Sequence, residues 1–225
     1  MEAMACAENY HRWIASGFGP HLGRRIVEVG AGCGNFTVRL LEARPEWIVA
    51  VEPSPEMCER LRARHGNAPG VRVVEGYLQD ALAQCPVPPD TLVYVNVLEH
   101  VEDDRGEIAA AFQGLAPGGR LCVLVPALPG LYGPFDQAVG HRRRYRKREL
   151  ERKIRAAGFE VLESRYLDLL GVAPWWVLYR LLKRRALDPA QVSLYDRICV
   201  PVARAIERIC PPPVGKNVFL VARRP

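Results

Sequence analysis

The chain has 225 residues, 49% hydrophobic and 25% charged, with a formal net charge of +6. That length holds one well-packed domain and is short for two, and the composition reads as an ordinary soluble globular protein. Seven cysteines are scattered without a C-x-x-C pair, which points to free thiols in a reducing cytoplasm and away from a disulfide frame or zinc site.

No N-terminal stretch shows the basic, apolar, small-residue order of a signal peptide. The longest apolar region, Tyr166 to Leu182, is broken by Asp168, Pro174 and Arg180 and is too short to span a bilayer. The predicted elements alternate between short apolar runs and helical patterns, which is the order of an α/β sheet protein. A first strand, Arg25 to Val29, runs into glycines, and a helix follows over Asn35 to Ala43. A second strand is Trp47 to Val51. Ser54 then stands as N-cap with Pro55 at the first helical position, opening a helix to His65. Val71 to Val74 is the third strand and Thr91 to Val95 the fourth, followed by a helix over Asp103 to Leu115. Pro117-Gly118-Gly119 makes a turn into the fifth strand, Arg120 to Val125. Continuous apolar strands between helices predict a parallel sheet buried on both faces.

His141 to Arg155 reads HRRRYRKRELERKIR. Such a basic block can meet phosphates, an anionic surface or an acidic substrate, or it can be a solvated helix face. Lys147 to Ala157 is its helix, ended by Gly158. Phe159 to Arg165 is the sixth strand and Asn217 to Ala222 the seventh. Between them, residues 166–214 are rich in Leu, Trp, Tyr and Pro and predict a helical insertion on a single domain.

The first strand enters Glu28-Val29-Gly30-Ala31-Gly32-Cys33-Gly34-Asn35. Glycines there allow a tight turn and close approach of backbone to a ligand, with the next helix pointing its N-terminus at it. The pattern is G-x-G-x-G. Asn35 stands where the dinucleotide pattern G-x-G-x-x-G has its third glycine, which argues against a dehydrogenase. Glu52 ends the second strand, and a carboxylate there can accept from both hydroxyls of a ribose.

With these features the chain resembles the class I methyltransferases that use S-adenosylmethionine (SAM). VEVGAGCGNFT (Val27 to Thr37) resembles their first motif and VEPSP (Val51 to Pro55) their second. DTLVYVNVLEHVED (Asp90 to Asp103) and LAPGGRLCVLVP (Leu115 to Pro126) resemble the fourth- and fifth-strand motifs of ubiquinone-type small-molecule enzymes. The resemblance implies a Rossmann-like, seven-stranded sheet whose last strand is antiparallel between strands five and six. It implies that Glu28, Gly30, Ala31 and Gly32 line the methionine and ribose of SAM, that Glu52 holds the ribose and that Pro53 packs near the adenine. Asn96 faces the methionine moiety, and Asn35 and Leu78 complete the cofactor set. NYHRW (Asn9 to Trp13) resembles a covering segment of a bacterial subgroup, so an N-terminal lid helix over 1–20 would close Tyr10 and Trp13 over the cofactor. One departure concerns the adenine. Tyr77 stands where the family often has an acid, leaving Tyr77, Gln79 or Asp80 to make that contact.

Methyl transfer needs positioning and, for a protonated nucleophile, a base. His141 sits in a G-H-x-R-R-Y stretch resembling that of the same subgroup, with Asp136 able to orient it. His100, Tyr145 and, as the weakest candidate, His11 are the others. The same residues could instead tie the loop down or cap a helix. Tyr132, Asp136, Arg144, Trp175 and Trp176 are the candidate acceptor residues. The paired tryptophans and the basic end of their segment suit an acceptor pocket, a membrane interface, a dimer face or a buried cap. The expected function is methylation of oxygen or nitrogen on a small or lipid-like acceptor. The alternatives are a nucleic-acid methyltransferase using the basic block, against which the fourth strand lacks Asn/Asp-Pro-Pro-aromatic, and a non-catalytic SAM-binding docking protein. No metal constellation is visible. A cytoplasmic monomer or homodimer with peripheral membrane contact is compatible with the sequence.

Overall fold

The structure is a computed structural model that describes residues 7–225. Residues 1–6 of the expected lid helix lie outside the described residues. Seven strands form one sheet in the order β3-β2-β1-β4-β5-β7-β6. The parallel strands are β1 (Arg25–Val29), β2 (Trp47–Glu52), β3 (Val71–Glu75), β4 (Thr91–Val95) and β5 (Arg120–Pro126). β7 (Asn217–Arg223) runs antiparallel to both its neighbours, β5 and β6 (Glu160–Leu167). This is the Rossmann-like topology that the resemblance implied.

Alternate strand residues feed two cores. Val27, Val29, Leu92 and Tyr94 pack on one face against α4 (Leu78–Ala83), α5 (Asp104–Gly114) and α7 (Lys147–Ala156). Ile26, Ile48, Ala50 and Val93 pack on the other against α1 (Glu8–Phe18), α2 (Thr37–Leu41), α3 (Pro55–His65) and α9 (Pro189–Ile209). The expected cap of α3 is present: Ser54 Oγ accepts from Met57 N at 3.5 Å, with Pro55 at the first turn. Gly158, just past α7, has φ +103°.

Three differences from the sequence reading have physical reasons. The helix after the glycine turn is only Thr37–Leu41, because Asn35 and Phe36 stay in the turn. Such a short helix carries little dipole. The short helices α4 and α6 (Pro134–Ala138) were not predicted. Each has an aspartate at its third position that accepts from the backbone before it, Asp80 from Tyr77 N and Asp136 from Gly133 N, but neither is long enough to show a period. The insertion starts later than expected, since β6 continues to Leu167; it comprises α8 (Val172–Trp175), a π-turn (Trp176–Leu181) and α9.

The loops after β1, β2, β4 and β5 open on one edge of the sheet. The strand order reverses between β1 and β4, which is where ligands bind in open α/β sheets.

Candidate functional site

Gly30, Gly32 and Gly34 all have positive φ, at +68°, +56° and +81°. Gly30 N and Ala31 N donate to Val51 O at 2.8 and 3.0 Å, which staples the turn to the end of β2. The three glycines are needed for different reasons. A Cβ on Gly30 would meet Val97 Cγ2 at 2.5 Å, and one on Gly34 would meet His65 Cδ2 at 2.4 Å. A Cβ on Gly32 would meet nothing within 4 Å. The space above Gly32 is therefore open, and the backbone there is bent to face it.

Glu52 closes this cradle. Its Oε2 accepts from Gly32 N at 2.9 Å and its Oε1 from Ser54 N at 3.0 Å. The backbone thus fixes a carboxylate over the turn while each oxygen keeps a further lone pair. Beneath it, Glu28 Oε2 accepts from Thr37 Oγ1 at 2.6 Å, and burial raises the Glu28 carboxyl to about 8. Asn96 follows β4 with φ +55°, held by its N–H on Leu124 O at 2.9 Å. Pro53 and Tyr77 are exposed at the ends of β2 and β3, and Tyr77 is 66% exposed. Two expected residues point elsewhere. Asn35 Oδ1 accepts from Arg64 Nη1 at 2.6 Å, and the Leu78 side chain is fully buried in the core. Asp80 is likewise engaged, on Tyr77 N.

α1 carries Tyr10 and Trp13 against the sheet edge, both buried. It is tied at two points: Asn9 N and Tyr10 N donate to Asp196 of α9 at 2.9 and 2.8 Å, and Asn217 Nδ2 donates to Tyr10 Oη at 2.6 Å. His11 meets Phe36 edge-on, and burial lowers it to about 4, so this imidazole is neutral.

The loop after β5 gathers the remaining candidates. Asp136 is fully buried and accepts from His141 Nδ1 at 2.7 Å, Arg144 Nε at 2.9 Å and Gly133 N at 2.9 Å. Burial alone would raise its carboxyl, but His141 and Arg144 hold it below its ordinary value. In the tautomer that donates Nδ1–H to Asp136, Nε2 is the ring nitrogen that carries the lone pair. His141 stands edge-on to His100, with ring centroids 4.7 Å apart. Tyr132 Oη donates to His141 O at 2.8 Å, and Arg144 stacks 4.8 Å over Trp175.

Tyr145 differs from its expected catalytic place. It is fully buried, and its hydroxyl bridges Leu98 O at 3.0 Å and Asp104 at 2.8 Å. It braces the β4 and β5 loops from below. Trp176 also differs, since it points outward and is 47% exposed. Much of the basic block is paired: Arg142 with Glu102, Arg143 and Lys153 with Asp104, and Arg155 with Glu151.

Two features were missed in the sequence. Glu99 is fully buried, neither carboxylate oxygen has a hydrogen-bond partner, and burial raises it to about 8. His141 Nε2 lies 3.8 Å from Glu99 Oε1, and Glu99, His100 and His141 each offer one ligand atom, all within 4.8 Å. The E-H pair of LEHV was the only signal, because His141 arrives from a distant loop. The second is a cavity of about 440 Å³ between α1 and the insertion, lined mainly by apolar side chains. Trp175, Tyr179 and Tyr195 form part of its wall. Lys216 enters it, paired to Asp168 at 2.8 Å.

The family model described as "Methyltransferase domain" matches residues 4–164. The chain is 30% identical over 164 residues to a tRNA U34 carboxymethyltransferase of Syntrophotalea carbinolica, covering 65% of this chain and 48% of that protein. It is 33% identical over 107 residues to a ubiquinone biosynthesis O-methyltransferase of Xylella fastidiosa, covering 46% and 42%. The chain thus spans less than half the length of these curated relatives. A crystal structure of an S-adenosylmethionine dependent methyltransferase from Mesorhizobium loti superposes with a TM-score of 0.60 at 18% identity, covering 93% of this chain and 95% of that one.

Proposed function

Because this chain belongs to the methyltransferase domain family, of class I and SAM-dependent, we propose that it methylates an oxygen or nitrogen of a small, apolar, lipid-like acceptor. The observation that carries this reading is one chain of contacts. The cavity wall Trp175 stacks on Arg144, Arg144 holds Asp136, and Asp136 holds His141. An acceptor seated against that wall would bring its nucleophile toward the imidazole.

The open cradle at Gly32 and the fixed Glu52 carboxylate suit an adenosyl group. Bound SAM supplies a methyl on a cationic sulfur. Glu52 would accept from the ribose hydroxyls, Gly30 to Gly32 would pass under the methionyl chain, and Asn96 and Glu28 would face its polar end. Tyr10 and Trp13 would cover it, with Pro53 and Tyr77 beside the adenine. His141 Nε2 would take the proton of the acceptor O–H or N–H as the nucleophile attacks the methyl in line and the S–CH₃ bond breaks. Asp136 would hold the resulting imidazolium.

Glu28 makes a pH prediction. With its carboxyl at about 8 it is largely protonated at neutral pH, and a methionyl ammonium beside it would favour the carboxylate. Binding then expels a proton. Affinity for S-adenosylhomocysteine should rise by up to about tenfold per pH unit as pH approaches 8, then level off. Calorimetry in two buffers of different ionisation enthalpy should show proton release. A flat affinity with no release removes Glu28 from the contact.

The function itself is tested by turnover of labelled SAM with a panel of apolar phenols and amines against tRNA. Transfer to tRNA alone would overturn the apolar-acceptor reading. A second reading rests on Glu99: its two unpartnered buried oxygens, beside His100 and His141, suit a divalent cation that would position the acceptor's oxygen. Chelation followed by readdition of magnesium, manganese or zinc separates the two. Unchanged turnover favours the imidazole base, and loss with rescue favours the cation.

A further inference from the structure

Helix α9 wears its hydrophobicity on the outside. Its acidic residues face inward: Asp196 accepts from the amides of Asn9 and Tyr10, and Glu207 accepts from Asp168 N and Leu169 N at 3.1 and 2.8 Å. Its outward face is Leu194, Ile198, Val202, Ile206 and Ile209, each between 48% and 87% exposed. Their spacing of four, four, four and three residues keeps them in one stripe about 22 Å long. Monomers rarely leave so continuous an apolar strip in water.

The exposed charges within α9 are all basic, and the exposed acid before it, Asp188, caps the helix by accepting from Ala190 N. Arg197, Arg204 and Arg208, spaced seven and four apart, line one flank of the stripe. Arg180, Lys183, Arg184 and Arg185 precede the helix. Among the described residues none of these seven has an ion-pair partner, in contrast to the paired basic block. No helix among the described residues is long and apolar enough to cross a membrane. An apolar stripe with a basic rim suits a helix lying in the plane of an anionic bilayer. A second copy of this chain would bring the same cations against each other.

We propose that α9 docks this protein flat on an anionic lipid surface, with the stripe at the acyl boundary and the arginines among the headgroups. Leu194 and Ile198 belong both to the stripe and to the lining of the 440 Å³ cavity, so the cavity reaches the surface where the bilayer would lie. Resting on the apolar-acceptor reading, the acceptor would enter from the membrane without crossing water.

The test is flotation of the full chain with phosphatidylcholine vesicles, with and without phosphatidylglycerol. Binding is expected with the anionic vesicles, and added salt should weaken it. Val202→Ser/Ile206→Ser/Ile209→Ser, at exposed sites away from the cavity, should abolish flotation while keeping the melting temperature and S-adenosylhomocysteine affinity. Arg197→Ser/Arg208→Ser should weaken it by roughly 30-fold at low salt. Absence of flotation by the wild type, or equal flotation by both variants, overturns the proposal. So does self-association that the serine variant abolishes, since the occupant is then a second copy. Flotation needs neither cofactor nor acceptor, so its failure is distinct from a failure of the acceptor reading.

Discussion

Glu52→Ala is expected to weaken S-adenosylhomocysteine binding by roughly 100- to 1000-fold while the protein stays folded. Hydrogen bonds to a charged group contribute about 1.5–3 kcal/mol each, and the carboxylate is positioned to accept two from a ribose. Its position is already fixed by Gly32 N and Ser54 N, so little ordering cost falls on binding. In the alanine variant those two amides lose their partner, but they lie beside the open space over Gly32, where water can replace it. Glu52→Gln is the finer probe. Its amide oxygen can serve one of the two N–H groups, while its NH₂ meets the other donor to donor. The expected loss is intermediate, about tenfold. Titration calorimetry measures both, with circular dichroism as the check on folding. Wild-type affinity in both variants would mean that the turn at residues 30–34 is not the nucleoside site.

How much of this was legible in the sequence follows from where each signal is stored. The strands were readable because burial on both faces demands unbroken apolar runs such as Ile26-Val27 and Leu92-Val93, and turn residues bound them. Gly32 and Glu52 were readable because both stand at the end of a strand, where the fold brings such ends together. The short helices α4 and α6 left no periodic trace. The convergence of Glu99, His100 and His141 was hidden because the two loops meet through contacts distant in sequence, among them Arg142 N on Glu99 O, Arg143 on Glu102 O and Tyr145 on Leu98 O and Asp104. Tyr145 was misread for a related reason. The sequence puts a phenol next to the candidate base, but the β-bridge of Ala127 with Tyr145 turns that side chain down into the core. The outward stripe of α9 was not legible because the sequence marks an apolar helical insertion over 166–214 without showing which face of it packs on the sheet. The inward face is set instead by Asp196 and Glu207, whose carboxylates satisfy the free amides of α1 and of the chain after β6.

His141→Ala carries the second large effect. Turnover is expected to fall by about 10²- to 10⁴-fold, the range for loss of a positioned base, with S-adenosylhomocysteine affinity unchanged. The fold should survive, because Asp136 keeps Arg144 Nε and Gly133 N when the imidazole leaves. kcat and kcat/KM should fall together, since a base acts only in the transition state. Tyr145→Phe, four residues on, is the control. It removes the bonds to Leu98 O and Asp104, yet Asp104 keeps Lys153 at 2.5 Å and Arg143 at 3.2 Å. A stability loss of about 1–3 kcal/mol is expected, with kcat per folded molecule retained. The pair of variants thus separates chemistry from bracing within one loop. If His141→Ala kept full turnover and lost stability instead, the Asp136–His141 pair would be a second brace, and the acceptor's proton would leave to water or to a group held at Glu99.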